Sequence, residues 1–146
     1  MPLRKVGTGG TFDHLHDGHK LLIETALKVS NKVMIGLTSQ KMLKRKKFAD
    51  LIEDYDTRKK NLENFISSIG GSDRAEIIEL TNPYGPPIKE AEYEGIVASQ
   101  ETFLNSVRLN ELRVANGFDP LVIILIPIVI GPNDQRLSST NIRSKL

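Results

Sequence analysis

Short apolar runs alternate along this chain with segments in which apolar residues recur at helical spacing. Strands are predicted near residues 3–8, 32–38, 76–80, 95–98 and 121–126. Helices are predicted near residues 18–30, 57–69 and 101–116, and glycines follow the last two. Because continuous Val, Ile and Leu runs are typical of strands buried on both faces, this alternation predicts an α/β fold. We expect a single three-layer, Rossmann-like domain with a five-stranded parallel sheet.

Length and composition exclude several classes of function. The 146 residues match one domain, which we place over residues 1–146. Without cysteine, the chain has no disulfides, thiolate metal ligands or cysteine nucleophile. The longest apolar run, residues 121–130, is interrupted by Pro127 and is shorter than the ~20 residues of a membrane helix. With no signal-peptide pattern at the start, we expect a cytoplasmic protein with no membrane partner.

The most informative local feature is the glycine- and histidine-rich segment 9–19, which lies between the first predicted strand and the first predicted helix. A helix N-terminus leaves about four backbone N–H groups unpaired and carries roughly half a positive charge. Anions are therefore stabilised there, and His16 and His19 would add directional donors. In open parallel sheets, the ligand crevice lies at the carboxyl ends of the strands. The segment is predicted to hold the phosphates of a nucleotide.

Three better known motifs do not fit this segment. A dinucleotide-binding G-x-G-x-x-G would need glycine at position 12, where Phe12 stands. The P-loop ending Gly-Lys-Ser/Thr is absent from the sequence. A zinc protease helix carries histidines four residues apart with a glutamate, whereas His16 and His19 are three apart. A zinc site is the weaker alternative.

The segments Gly10-Thr11-Phe12-Asp13 and His16-Asp17-Gly18-His19 resemble the HxGH nucleotidyltransferase superfamily, which is related to class I aminoacyl-tRNA synthetases. A second signature, Leu137-Ser138-Ser139-Thr140-Asn141-Ile142-Arg143, is similar to the ISSTxIR motif of that superfamily. Within it, the chain is most similar to the archaeal type of phosphopantetheine adenylyltransferase. His16 stands where the bacterial enzymes usually carry threonine. A histidine at this position points to the archaeal type, but it also resembles the cytidylyltransferases.

The resemblance implies transfer of the adenylyl group of ATP to 4'-phosphopantetheine, giving dephospho-coenzyme A and pyrophosphate in coenzyme A biosynthesis. It implies that His19 and His16 contact the ATP phosphates, with His19 stabilising the transition state. The remaining nucleotide-site residues it implies are Gly10, Thr11, Phe12, Gly18, Ser138, Ser139, Thr140 and Arg143. Gly18 would leave room for adenine and ribose. Thr11 could donate its hydroxyl to the acceptor phosphate.

Lys44 or Lys41, after the second predicted strand, is the candidate for the acceptor phosphate, and the basic block 44–47 leaves the choice open. Magnesium is expected to bridge the nucleotide phosphates, so no side chain is assigned as its ligand. His14 lies outside the H-x-G-H frame and is not assigned a role. Asp13 is interpreted equally well as a turn residue or a functional one.

Other functions remain open at this point. A cytidylyltransferase for glycerol phosphate, or an adenylyltransferase for FMN or nicotinamide mononucleotide, would use the same signatures. A nucleotide-binding regulatory module without catalysis is a third class. A nucleic-acid partner is not expected, because the basic block has no interleaved aromatic residues and the net charge is only +2. The oligomeric state is left undetermined.

Overall fold

The computed structural model describes residues 2–45 and 51–127, and the side chains of Lys44 and Arg45 are outside that description. The strands are β1 (Leu3–Gly10), β2 (Ser30–Thr38), β3 (Ala75–Leu80), β4 (Gly95–Ala98) and β5 (Val122–Leu125). The helices are α1 (Asp17–Val29), α2 (Tyr55–Ser68) and α3 (Phe103–Ala115), with short 3-10 helices at Lys41–Arg45 and Pro86–Ile88.

The five strands form one parallel sheet in the order β3-β2-β1-β4-β5. The α/β, Rossmann-like fold with a five-stranded parallel sheet is confirmed. Strand order, which spacing along the sequence does not reveal, reverses between β1 and β4. The carboxyl ends of these two strands therefore flank the crevice where this class of fold binds ligands.

Two apolar clusters hold the helices against the sheet. The larger one joins buried residues of α1 and α2, such as Ile23 and Leu62, to strand residues such as Ile35. A second cluster joins Leu109 of α3 to Met34. Because neighbouring strand residues point to opposite faces, Met34 and Ile35 place the two clusters on opposite sides of the sheet.

Several element boundaries differ from the sequence prediction. β1 extends to Gly10, because Gly9 and Gly10 continue the pairing with Gly36 and Leu37. The segment after β2, expected to be a polar connection, begins with the 3-10 helix, whose Met42 N–H donates to Ser39 Oγ at 3.3 Å. Helix α2 begins at Tyr55, because the carboxylate of Asp54 accepts the N–H of Thr57 at 2.8 Å and caps it.

β5 also differs from expectation, since its apolar sequence predicted burial on both faces. It lies at the edge of the sheet, where Val122 and Leu125 stay 56% and 53% exposed. None of the helices in the described part of the chain combines the length and apolar character needed to cross a bilayer.

Candidate active site

The turn between β1 and α1 carries the two histidines of the H-x-G-H segment. His16 is the N-cap of α1, and its Nδ1 accepts the N–H of Gly18 at 3.0 Å. The N–H of His16 in turn donates to Nδ1 of His19 at 3.3 Å. This reciprocal cap satisfies two of the backbone donors that a helix N-terminus leaves unpaired.

The cap decides which ring nitrogen carries the proton. A neutral imidazole has one N–H donor and one acceptor nitrogen, and Nδ1 of both rings accepts here. His16 and His19 are therefore Nε2–H donors when neutral. Burial lowers the pKa of His16 below its usual value of 6.5, against the opposing charge of Asp17. The neutral form is thereby favoured near pH 7.

Two buried polar side-chain atoms have no hydrogen-bond partner within the described residues, and one of them is Nε2 of His16. The other is the hydroxyl oxygen of Thr8 in β1. A buried donor without an acceptor lowers the stability of the folded state, and such groups are rare in native proteins. A ligand oxygen bound at the start of α1 would satisfy the His16 donor.

Phe12 anchors the turn to the core. Its side chain is 1% exposed, and its ring centroid lies 5.3 Å from that of His19. Its backbone has a φ of 50°, which a non-glycine residue adopts only when its surroundings hold it there. We expected Phe12 among the nucleotide-binding residues. Because its side chain is committed to the core, contact with a nucleotide is left to its backbone.

A cavity of about 210 Å³ opens beside this turn at the carboxyl ends of the strands. Gly10 and Thr11 form one side of it. A Cβ at Gly10 would make only ordinary contacts, 3.6 Å from the Phe12 ring, so packing alone does not demand glycine there. Neither His16 nor His19 lines this cavity; His16 instead borders a shallow groove between α1 and α2 together with Lys20.

The far wall of the cavity is mainly apolar. Tyr84, in the loop that follows β3, lines this wall together with Leu80. Polar atoms come from Asn105 of α3 and from Glu101, just before that helix, and the amide of Asn105 donates to the carbonyl of Pro83 at 2.9 Å. Apolar walls with a few placed polar groups are typical of small-molecule sites.

The two lysine candidates lie in the 3-10 helix Lys41–Arg45, shortly after the end of β2. Lys41 begins the 3-10 helix that follows β2, and its side chain is exposed, while the adjacent Met42 lines the cavity. The backbone of Lys44 belongs to the same helix, and its side chain lies outside the described residues. Ser138, Ser139, Thr140 and Arg143 also lie outside them. The convergence of the two signatures therefore stays a prediction.

Two fully buried arginines were not singled out as site residues. Arg58 of α2 donates to the backbone oxygens of Thr11 and Thr38, at the ends of β1 and β2. Arg113 of α3 donates to several carbonyls of the segment before β4. The sequence offered no signal for these contacts beyond the residues themselves, because the acceptors are backbone oxygens, with Oε1 of Gln40 as the exception among them.

The strand order and the capped turn are those of a Rossmann-like α/β fold, whose ligand crevice lies at the carboxyl ends of the strands. Residues 8–145 match the family model described as cytidylyltransferase-like. A phosphopantetheine adenylyltransferase of Pyrococcus abyssi is 40% identical over 146 residues, which span 100% of this chain and 92% of the relative. One from Methanopyrus kandleri is 37% identical over 143 residues, spanning 98% and 90%.

A solved structure of an Archaeoglobus fulgidus protein, described as of unknown function, superposes with a TM-score of 0.76 at 31% identity. The match covers 84% of this chain and 89% of that one. The chain belongs to the phosphopantetheine adenylyltransferase family, within the cytidylyltransferase-like class.

Proposed function

We propose that this chain transfers the adenylyl group of ATP to 4'-phosphopantetheine, releasing dephospho-coenzyme A and pyrophosphate. One observation carries the proposal. A single segment, Gly10–His19, contains both the histidine pair that caps α1 and residues that line a largely apolar cavity. The family relatives named above support the same reaction. A cytoplasmic location is part of this proposal.

The chemistry requires alignment more than acid–base catalysis. An oxygen of the acceptor phosphate forms a bond to the α-phosphorus of ATP, while the bond from that phosphorus to the bridging oxygen of pyrophosphate breaks. The nucleophile is already ionised, so no proton has to be removed. The protein must bring two anions together and stabilise the charge that moves onto the leaving group.

The ATP phosphates would bind at the start of α1. Nε2–H of His16 and of His19 would donate to phosphate oxygens, beside the positive end of the helix dipole. We assign His19 the stabilisation of the transition state, as the resemblance implies. Gly18 and the backbone of Phe12 would complete this side. Ser138, Ser139, Thr140 and Arg143 remain our proposal for the β- and γ-phosphates.

The acceptor would occupy the strand-end cavity. Its pantetheine arm has an apolar carbon skeleton with two amides, which suits a wall built from Leu80 and Tyr84 with Asn105 nearby. The acceptor phosphate would then lie at Gly10 and Thr11, near the β2 exit that carries Lys41 and Lys44. Only one of the two lysines needs to contact it.

Magnesium would enter with ATP, bound through phosphate oxygens and water. Within the described residues, Asp13, His14 and Glu53 form one group whose ligand atoms lie within 4.8 Å of one another. This group does not fit Mg²⁺, which prefers six oxygen ligands in octahedral geometry. It contains an imidazole, and the carboxylates of Asp13 and Glu53 each accept a backbone N–H at 2.8 Å. We assign no side chain to the metal.

The test is a purified-protein assay that crosses ATP and CTP with 4'-phosphopantetheine, glycerol 3-phosphate, FMN and nicotinamide mononucleotide. Pyrophosphate release is expected only from ATP with 4'-phosphopantetheine. Turnover only with CTP and glycerol 3-phosphate would show a cytidylyltransferase instead. ATP binding without turnover on any acceptor would indicate a regulatory module.

A further inference from the structure

The guanidinium of Arg58 is completely buried, 0% exposed, in the first turn of α2. It donates from Nε to the carbonyl of Glu53 at 2.9 Å and from one terminal nitrogen to the carbonyls of Thr11 and Thr38, at 3.0 and 2.8 Å. The other terminal nitrogen donates to Oε1 of Gln40 at 3.2 Å. Because three of its four acceptors are backbone oxygens, this buried charge fixes the positions of the peptide groups to which they belong.

The peptides held by Arg58 belong to the two halves of the proposed site. Thr11 is in the turn that leads to the capping histidines. Thr38 is the last residue of β2, and Gln40 directly precedes the 3-10 helix Lys41–Arg45. One guanidinium therefore joins the turn that leads to the ATP-binding histidines, in which Thr11 is also proposed to meet the acceptor phosphate, to the β2 exit that carries the two lysine candidates.

Charge around Arg58 strengthens the connection. The carboxylate of Asp13, 0% exposed, attracts the guanidinium and opposes the lowering of its pKa by burial. Oδ1 of Asp13 also accepts the N–H of Glu53 at 2.8 Å, while the carbonyl of Glu53 accepts from Arg58. Glu53, just before the N-cap of α2, is thus fixed through its N–H to the turn and through its carbonyl to the arginine.

We propose that Arg58 is a positioning residue that sets the separation between the ATP-binding turn and the acceptor-binding segment. The inference rests on the proposed function. Arg58 is buried and is not proposed to contact either substrate, so it acts through Thr11, Thr38 and Gln40. Its loss should impair the alignment of two bound substrates more than the binding of either one alone.

Arg113 provides a matched control, because it is also a buried arginine whose acceptors are backbone oxygens. It is 1% exposed and donates to the carbonyls of Pro87, Glu90, Tyr93 and Asp119. These peptides lie in the connection before β4 and in the segment before β5; Pro87 also lines the strand-end cavity, but none of the four belongs to the turn or to the β2 exit. Loss of its contacts should lower stability without changing the separation of the two phosphate-binding segments.

The decisive comparison is Arg58→Lys against Arg113→Lys, since lysine keeps the charge but not the planar fork of donors. For Arg58→Lys we expect kcat to fall about 100-fold, the cost of a misplacement near 1 Å. The Kd of ATP, measured by calorimetry without acceptor, should stay within about threefold. The Tm of Arg113→Lys should fall by about as much as that of Arg58→Lys, while its kcat at saturating substrates should stay unchanged.

Gln40→Ala is a second variant that does not disturb the core, because Gln40 is exposed. It removes one of the four acceptors of Arg58 and leaves the three backbone acceptors, so we expect a smaller misplacement than in Arg58→Lys, with a fall in kcat of about tenfold and a smaller loss of Tm. Hydrogen exchange adds a readout that does not depend on turnover. Amides of residues 11–13 and 39–42 should exchange faster together in Arg58→Lys but not in Arg113→Lys.

The inference would be overturned by unchanged kcat in both Arg58→Lys and Gln40→Ala, by an equal loss of kcat in Arg113→Lys, or by exchange that rises in only one of the two segments. A Kd for ATP that weakens by the same factor as kcat would also overturn it, since Arg58 would then act on the ATP site alone. Failure of the proposed function is distinguishable, because the wild-type chain would then show no turnover of ATP with 4'-phosphopantetheine. Hydrogen exchange would still decide the role of Arg58.

Discussion

The imidazole rings of His16 and His19 stack at the start of α1, with centroids 3.8 Å apart and planes inclined by 20°. Both rings are held by Nδ1, which accepts a backbone N–H in each case. Burial lowers the pKa of His16, which favours its neutral ring in this stack. Capping uses Nδ1 of each ring, and the phosphate binding proposed above would use Nε2.

His19→Asn tests the donor role of Nε2. Asparagine retains a polar atom close to the position of Nδ1 but does not reach as far as Nε2. Loss of one preorganised donor should lower kcat by about 10²–10³-fold, with the fold retained. Steady-state kinetics with ATP and 4'-phosphopantetheine measure the effect.

The control for His19→Asn is His14→Asn in the same turn. The backbone of His14 has a φ of 47°, which asparagine tolerates well. This variant should keep kcat within a few-fold, because His14 has no role in the proposed site. Equal losses in the two variants would show that the turn is merely sensitive to substitution.

His16 combines two roles that substitutions can separate. His16→Ala removes both the cap and the Nε2 donor, and loss of an N-cap costs about 0.5–2 kcal/mol of stability. His16→Asn should restore most of the free energy of unfolding, since asparagine is a good N-cap, without restoring kcat. Chemical denaturation and kinetics on the same preparations make the comparison. Recovery of activity in His16→Asn would remove Nε2 of His16 from the reaction.

The pKa of His16 predicts a pH dependence of stability. Burial lowers the pKa in the folded chain below the unfolded value of 6.5, so the unfolded state binds more protons in the interval between the two. The free energy of unfolding should therefore rise as pH rises through that interval and gain nothing further from this group above it. Below pH 6.5, wild-type protein should lose more stability than His16→Asn. Parallel curves for the two proteins at all pH values would contradict this assignment.

Leu80 connects the packing of the sheet to the acceptor cavity. A Cβ at Gly36 would lie 2.7 Å from Cγ and Cδ1 of Leu80, whose side chain also lines the cavity. Gly36→Ala should therefore destabilise the chain by about 1–3 kcal/mol through overpacking and raise KM for the acceptor as Leu80 shifts. KM for ATP should change less.

A double-mutant cycle tests whether Leu80 is the group displaced. In the Leu80→Ala background, adding Gly36→Ala should cost less stability than it does in the wild-type chain, because the clash is gone. Urea denaturation of the four proteins gives the interaction free energy. Additive losses would mean that Gly36 is required for another reason.

The sequence predicted the elements of this fold because each strand and helix carries its own periodicity and stop signals. The element boundaries that differ from the sequence prediction depend on single side chains, such as that of Asp54, which caps α2 so that the helix begins at Tyr55. Strand order was not predictable, because a crossover of given length can reach either side of β1.

The histidine turn was found from residue types, since phosphate binding at a helix start needs particular residues at particular spacing. The role of His16 as N-cap was not foreseen, because histidine is not among the preferred capping residues. The contacts of Arg58 were not predictable either, because its main acceptors are carbonyls as many as 47 residues away along the chain. A carbonyl belongs to every residue, so such contacts leave no pattern in the sequence.

Adenylyl transfer is measured most directly by following the phosphorus atoms of ATP through one turnover. With ATP labelled at the α-phosphorus and 4'-phosphopantetheine as acceptor, the proposed reaction should place the label in dephospho-coenzyme A, whereas γ-label should appear in pyrophosphate. His19→Asn should transfer the α-label about 10²–10³-fold more slowly. Release of the α-label as free AMP, or no transfer by the wild-type chain, would contradict it.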